Sequence, residues 1–456
     1  MTLTQTLDNY SKSNMYPFHM PGHKRMLEGP YKIDMTEVDG VDDLHDPTDV
    51  IANEQKRLAK IYKAKESFIL VGGSTVGNLS AIYGCCDEGD LVLIQRNSHR
   101  SVYNGAILRH LKVGYIYSRC DENGIYRAVT VDEIKKSIEE QSGEIPKAIV
   151  ITSPTYEGFA ANIEEISDFC HGKNITLIVD SAHGAHLGFH KDLPSQCVDK
   201  ADVTIMSLHK TLPCLTQTAV LHISGDRVDS RRIREALDIF ETSSPSYVLM
   251  NSVSQCINYL EDNKHCFDEY VDNLNWFYDT CGKLKHISIY KKANQIRDIG
   301  KIVISTKNTD ITGIKLSNIL RRKYEIETEL SSFSYVLAMT SIMDIKEGFE
   351  RLASALIEID DDLKSGNTVV PIMGQASEIE KEMEPWEAKA KGGKQVELKK
   401  AKNMICQDSI CLYPPGAPVI VPGEKITDET IALIEKAMAV GIHVTGINNG
   451  FIFVVN

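Results

Sequence analysis

Short β-branched runs alternate with stretches of helical spacing from residue 66 to residue 224. SFILVG, DLVLIQ, VGYIYS, AIVITSP, ITLIVD and ADVTIM read as strands. STVGNLSAIYGCC, SVYNGAILRHL, VDEIKKSIEEQ and NIEEISDFCHG read as the helices between them. Strands that are apolar throughout and separated by helices predict a largely parallel sheet, covered on both faces. IANEQKRLAKIYKAK, just before, also has helical spacing.

Residues 225–290 are mostly helical in pattern, as in SRRIREALDIFET and YVLMNSVSQCINYLEDN. Beyond them, strands such as GKIVIST mix with helices such as KEGFERLASALIEI, which predicts a second, smaller α/β unit. EIEKEMEPWEAKAKGGKQVELKKAK reads as a charge-rich helical region with a Gly-Gly break and a solvated face. LYPPGAPVIVPGEKI reads as a rigid Pro/Gly loop. The expected division is an N-terminal segment 1–50, irregular and rich in Pro, Gly, His and Asp, a large domain 51–290 and a smaller domain 291–456.

Composition narrows the class only a little. At 456 residues, with 42% apolar and 25% charged residues, the chain reads as an ordinary globular protein of more than one domain. A net charge of −13 argues against a nucleic-acid partner. No apolar run is long enough to span a bilayer, and the N-terminus has no secretory pattern. The eleven cysteines are scattered without a CxxC, so reduced thiols in a cytoplasmic protein are expected, with no metal site.

Four segments carry candidate chemistry. In ILVGGSTVGN a strand runs through Gly-Gly into Ser74, Thr75 and a helix. Backbone N–H groups and two hydroxyls at a helix start can hold an anion, or can simply cap the helix. In IQRNSHRSVYN, His99 follows a strand and can stack its ring on an aromatic ligand or serve as a hydrogen-bonded loop residue. In LIVDSAHGAH, Asp180 ends an apolar strand, where open parallel sheets bind ligands. His183 and His186 follow at a spacing that resembles a two-histidine metal face, without the Glu of HExxH. In SLHKTLP, Ser207, His209 and Lys210 crowd a strand end.

Together these name one ligand. Lysine can form an imine with an aromatic aldehyde, aspartate can hold a ring nitrogen protonated, and a helix start can bind a phosphate. That ligand is pyridoxal 5′-phosphate, and Ser207 and His209 can both reach its phosphate.

The segments PFHMPGHKR, TEVDGVDDLHDPT, GGSTVGN, VDSAHGAHLGFH, SLHKTLPCLTQTAVLH, TSSPSY and YPPGAPVIVPGE resemble the Orn/Lys/Arg decarboxylase family. The resemblance runs over nearly the whole chain. It implies a fold-type-I PLP-dependent enzyme, aspartate aminotransferase-like. Its large domain would hold a mainly parallel sheet, with a smaller C-terminal α/β domain. It implies Lys210 as Schiff-base lysine, Asp180 as pyridinium partner, and Ala182 and His99 on opposite ring faces. Ser74, Thr75, Ser207 and His209 would bind phosphate, and His183 counts among the cofactor-binding positions. The chain resembles the short form without an N-terminal wing domain.

The implied activity is decarboxylation of a basic amino acid in polyamine biosynthesis. Arginine is favoured over lysine and then ornithine, and His209 or Lys210 is the proton donor. Other fold-type-I reactions (transamination or elimination) and a non-catalytic regulatory role remain alternatives. Glu382, Glu384 and Asp408 are weighed for the substrate's distal cation, against a solvated-surface reading. Thr242, Ser243 and Ser244 precede Pro245 in a loop that in this fold commonly crosses to a partner, so a homodimer or tetramer with shared sites is expected.

Overall fold

The computed structural model describes residues 16–18, 42–290, 296–366, 379–413 and 417–456. Most of the irregular 1–50 segment and residues 414–416 of the Pro/Gly loop lie outside the described residues.

Seven strands form the central sheet: Glu66–Leu70 (β1), Leu91–Gln95 (β2), Lys112–Ile116 (β3), Ala148–Thr152 (β4), Thr176–Asp180 (β5), Val203–Ser207 (β6) and Ala219–Ile223 (β7). Their order is β1-β7-β6-β5-β4-β2-β3. All neighbours are parallel except at β7, which is antiparallel to both β6 and β1. The six strand runs read from the sequence all fall in this sheet. The reading missed β7, whose run AVLHI carries His222.

Alternate strand residues feed two cores. Leu93, Ile149, Ile151, Leu177 and Val179 join one cluster, while Val92, Ile94, Val150 and Ile178 join the other. Both faces are therefore dry, which is why the runs are apolar throughout rather than alternating. Each such side chain contributes about 1.5–3 kcal/mol on burial.

The connecting helices follow local rules. Val131–Glu140 starts at a capping box, with Thr130 and Glu133 bonding each other's backbone N–H, and it buries Val131, Ile134 and Ile138 on one face. The helix Gly73–Cys85 (α1) carries no side-chain cap, and Gly73 enters it at φ +78°. Only glycine adopts that conformation readily.

Ser288–Ile289, Lys301–Ser305, Leu330–Ser331 and Tyr335–Met339 form an antiparallel sheet. With helices Gly313–Tyr324 and Lys346–Asp362 it shares a core with the central sheet. Residues 396–454 carry a separate cluster around Ile410, Ile420, Ile434 and Val454.

The charge-rich region is less helical than expected. Pro385–Ala390 is a helix, but Gly393–Glu397 pairs as a strand with Phe451–Val455. A Cβ at Gly393 would lie 1.7 Å from Gln407 Oε1, so the Gln407 amide packs where only a glycine leaves room. No helix among the described residues is long and apolar enough to cross a membrane.

Candidate active site

Parallel strand order brings the C-terminal ends of β2, β4, β5 and β6 to one edge. A cavity of about 620 Å³ opens there. Ser74, His99, Asp180, Ala182, His183 and Lys210 line it. Thr75, Ser207, His209, Thr242 and Ser243 are not among its lining residues.

Asp180 ends β5 and is 2% exposed. Asn78 Nδ2 donates to its Oδ2 at 2.8 Å and the Ala182 N–H to its Oδ1 at 3.1 Å. Asn78 also donates to Ser101 Oγ at 2.9 Å, and that hydroxyl lies 2.8 Å from His99 Nδ1. One α1 residue therefore ties the acid to the histidine loop. The sequence reading missed Asn78. Its signal was a polar residue on a helix face that otherwise packs apolar groups. Burial pushes the His99 imidazole down to about 4, despite the nearby Asp180 carboxylate, so the ring presents a neutral face at neutral pH.

Lys210 follows β6 in a single helical turn, Leu208–Thr211. Its Nζ lies 2.9 Å from His183 Nε2, and His183 Nδ1 lies 3.1 Å from Lys301 Nζ. Burial lowers the Lys210 amine, while Asp180 and Glu329 draw it the other way. Burial, then Lys210 and Lys301, hold His183 well below the usual imidazole range. His183 and His186 do not form a common face, because His186 Nε2 sits 3.1 Å from Asp298 Oδ2 instead. Lys301 went unnoticed in GKIVIST, where a cation within a β-branched run was the available signal.

The α1 start is more occupied than the sequence suggests. Glu241 Oε2 accepts from the N–H groups of Val71 and Gly72 at 3.0 and 3.1 Å. The next N–H groups, at the first turn, have no carbonyl one turn back and point toward the helix mouth. Ser74 is half-buried there and Thr75 is exposed. Ser207 is fully buried and its Oγ has no hydrogen-bond partner among the described residues. His209 Nδ1 lies 2.8 Å from the Thr218 carbonyl.

Thr242, Ser243 and Ser244 are exposed in the loop between helices Ser230–Phe240 and Tyr247–Asp262. Glu382, Glu384 and Asp408 also lie away from the cavity. Glu382 meets Lys425 at 3.3 Å, Glu384 accepts from the Val113 N–H at 2.9 Å, and Asp408 pairs with Lys389. Among the described residues, the acids that do line the cavity are Asp180, Glu157 and Glu429. Glu157 is 6% exposed and accepts from Tyr335 Oη at 2.8 Å, and burial raises its carboxyl above the usual range.

An amine, a buried acid, a neutral ring and a helix start around one cavity are the groups a phosphorylated aromatic aldehyde requires. The Ser207 hydroxyl, unpartnered among the described residues, is buried at the end of β6 and does not line the cavity.

Two family models match the chain. They are "Orn/Lys/Arg decarboxylase, major domain" over residues 1–309 and "Orn/Lys/Arg decarboxylase, C-terminal domain" over 373–447. The arginine decarboxylase of Bacillus anthracis is 28% identical over 97% of this chain and 94% of its own length. That of Bacillus subtilis is 27% identical over 96% and 94%. In fold, the chain is similar to the constitutive lysine decarboxylase of Escherichia coli. The TM-score is 0.80 at 20% identity, over 99% of this chain and 81% of that one.

Proposed function

The chain belongs to the Orn/Lys/Arg decarboxylase family, whose members depend on pyridoxal 5′-phosphate, and from that premise we propose that arginine is the basic amino acid it decarboxylates. The full-length relatives named arginine decarboxylase support this substrate. The assignment of site residues rests on one observation, the convergence of Lys210, Asp180 and His99 on a single cavity.

An electron sink for the pair left by the departing carboxylate is the chemistry the cofactor supplies when bound. The residues do the rest. Lys210 would hold the cofactor through its side-chain amine. Asp180, fixed by Asn78 and the Ala182 N–H, would hold a proton on the ring nitrogen and so keep the ring electron-poor. Ala182 and the neutral His99 ring, which line the same cavity, would contact the cofactor ring. Ser74 and the first turn of α1 would take the phosphate, with the hydroxyls of Ser207 and Thr75 as further donors. His209, turned to the Thr218 carbonyl, orients that strand end. Lys210, with His183 beside it, would be placed to supply a proton at Cα.

Glu157 is the carboxylate we assign to the substrate's distal cation. It is buried in the cavity wall and held in place by Tyr335. A guanidinium entering beside it restores a charge partner to a group that burial otherwise disfavours.

The loop bearing Thr242 and Ser243 serves a partner's phosphate in a homodimer. Its exposure and its absence from this chain's own cavity support that reading. Sedimentation during dilution, with bound cofactor followed by absorbance, tests it. A folded monomer that keeps full cofactor contradicts it.

The substrate is tested by carbon dioxide release from arginine, lysine and ornithine, each offered to the purified, cofactor-loaded protein. The largest kcat/KM is expected for arginine, and a larger value for lysine or ornithine overturns the assignment. Keto-acid formation in place of gas would mark a transaminase.

A further inference from the structure

We propose that Ser101 and Asn78 are positioning residues that hold His99 in the tautomer with its proton on Nε2. The cavity then meets an N–H donor at His99, which takes a carboxylate oxygen of the substrate and turns away its distal cation. The tautomer stands on the geometry alone, and the orienting role rests on the decarboxylase reading.

His99 caps the helix Arg100–Leu108, and its Nδ1 accepts from the Ser101 N–H at 3.3 Å. A backbone N–H only donates, so Nδ1 must offer a lone pair. The side chains agree. Asn78 Nδ2 lies 2.8 Å from Asp180 Oδ2 and 2.9 Å from Ser101 Oγ. Both Asp180 oxygens accept, the second from the Ala182 N–H. Turning the amide over would set Asn78 Oδ1 against a carboxylate oxygen, two acceptors face to face. The amide therefore keeps its N–H groups on Asp180 and Ser101, although Oδ1 is left without a hydrogen-bond partner among the described residues. Ser101 Oγ accepts one of those hydrogens, and its own goes to His99 Nδ1, 2.8 Å away. A neutral imidazole whose Nδ1 accepts carries its proton on Nε2.

Asn78 and Ser101 are each 1% exposed, so the chain from Asp180 to His99 is shut away from solvent. The helix start adds a partial positive charge beside Nδ1, which opposes a proton there. Burial, Lys210 and Arg100 oppose a charge on the ring as a whole, against the pull of the Asp180 carboxylate. His183 is the other titratable ring that feels His99. Nε2, unlike Nδ1, bonds no described residue, and the ring lines the cavity.

A basic amino acid brings a carboxylate at one end and a cation at the other. An N–H at Nε2 suits an oxygen of the first. A lone pair at Nε2 would suit the second, because ammonium and guanidinium groups only donate. Glu157, an acceptor lining the same cavity, has the opposite preference. The tautomer thus helps to fix which way round the substrate lies.

The test is nitrogen NMR of the imidazole rings in the cofactor-loaded full chain, labelled only at histidine. The His99 signals are assigned by their loss in His99→Gln. The wild type is expected to show a protonated Nε2 and an unprotonated Nδ1 at neutral pH. Ser101→Ala removes the hydroxyl donor, so part of the ring moves to the Nδ1–H form and its titration rises by about one unit, a tenfold shift in the equilibrium. Asn78→Ala frees the Ser101 hydroxyl to turn, and shifts the spectrum in the same direction by less. Ser101→Thr restores the hydroxyl and the wild-type spectrum. Orientation is read by comparing KM for arginine with inhibition by agmatine, the same molecule without the carboxylate. In Ser101→Ala, arginine should weaken relative to agmatine by about threefold or more. A wild-type ring protonated on Nδ1 overturns the proposal, and that result needs no variant to fold. Spectra like the wild type's in both Ser101→Ala and Asn78→Ala overturn the part given to those residues. An unchanged preference for arginine over agmatine overturns the orienting role. The histidine spectrum is readable with or without cofactor, so these outcomes stay separate from failure of the reading beneath, which absence of a Lys210-dependent visible band would show.

Discussion

Arg96 and Glu424 form a buried two-point ion pair across 328 residues, with Nε to Oε1 at 3.1 Å and Nη2 to Oε2 at 2.8 Å. The same guanidinium donates to the carbonyls of Pro418 at 2.8 Å and Val419 at 3.1 Å. Arg96 follows β2, so this one side chain fastens the C-terminal segment to the mouth of the cavity. Arg96→Ala leaves Glu424 buried without its cation, which costs about 3–5 kcal/mol. Thermal unfolding is expected to show that loss, together with a raised KM. A variant within about 1 kcal/mol of wild type would contradict the role, that being the worth of an exposed pair.

Asp180→Asn is expected to keep part of its cofactor and lose at least about a hundredfold in kcat, near 2.7 kcal/mol of barrier. A carboxamide cannot hold the ring nitrogen protonated, although it can still accept from Asn78. Steady-state carbon dioxide release checks this, and a rate within about tenfold of wild type would remove the role given to Asp180.

The positions of Asp180 and Lys210 were legible because strand ends in a parallel sheet share an edge, so two residues thirty apart meet. The strands themselves were legible from runs without polar interruption. β7 was not, since AVLHI carries a polar histidine within its apolar run. The strand Gly393–Glu397 was hidden by its charges, because an edge strand with exposed side chains has no hydrophobic period to read. Asn78, Glu157 and Lys301 went unseen for a related reason. Their value depends on partners far away in sequence, and nothing local marks them.

Glu157→Gln is expected to raise KM for arginine by about tenfold or more while kcat stays within a few-fold, the pattern of lost binding rather than lost chemistry. The same buried carboxyl has a raised proton affinity, so KM should climb in the wild type as pH falls and the group neutralises. That climb should be absent from the variant. An unchanged KM in Glu157→Gln would place the distal cation elsewhere.

His222 gives the fold a pH signature away from the chemistry. Burial sets its imidazole at about 3, and its Nδ1 lies 2.7 Å from Ser67 Oγ. Between about pH 3 and 6.5 the unfolded chain binds a proton there that the folded chain does not, so stability rises with pH across that window. It is complete above 6.5 and is lost on acidification, by roughly 3 kcal/mol at pH 4. Denaturant unfolding at several pH values should show a shallower acid slope in His222→Gln than in wild type. Parallel slopes would contradict the assignment.

The bond between Lys210 and the cofactor is open to one direct measurement. The cofactor-loaded protein is reduced with borohydride, digested, and the modified peptide is sequenced by mass spectrometry. The phosphopyridoxyl group is predicted on Lys210, in the peptide containing SLHK, with the visible band lost in Lys210→Ala. The group on any other lysine, Lys301 included, or wild-type turnover in Lys210→Ala, would contradict the account.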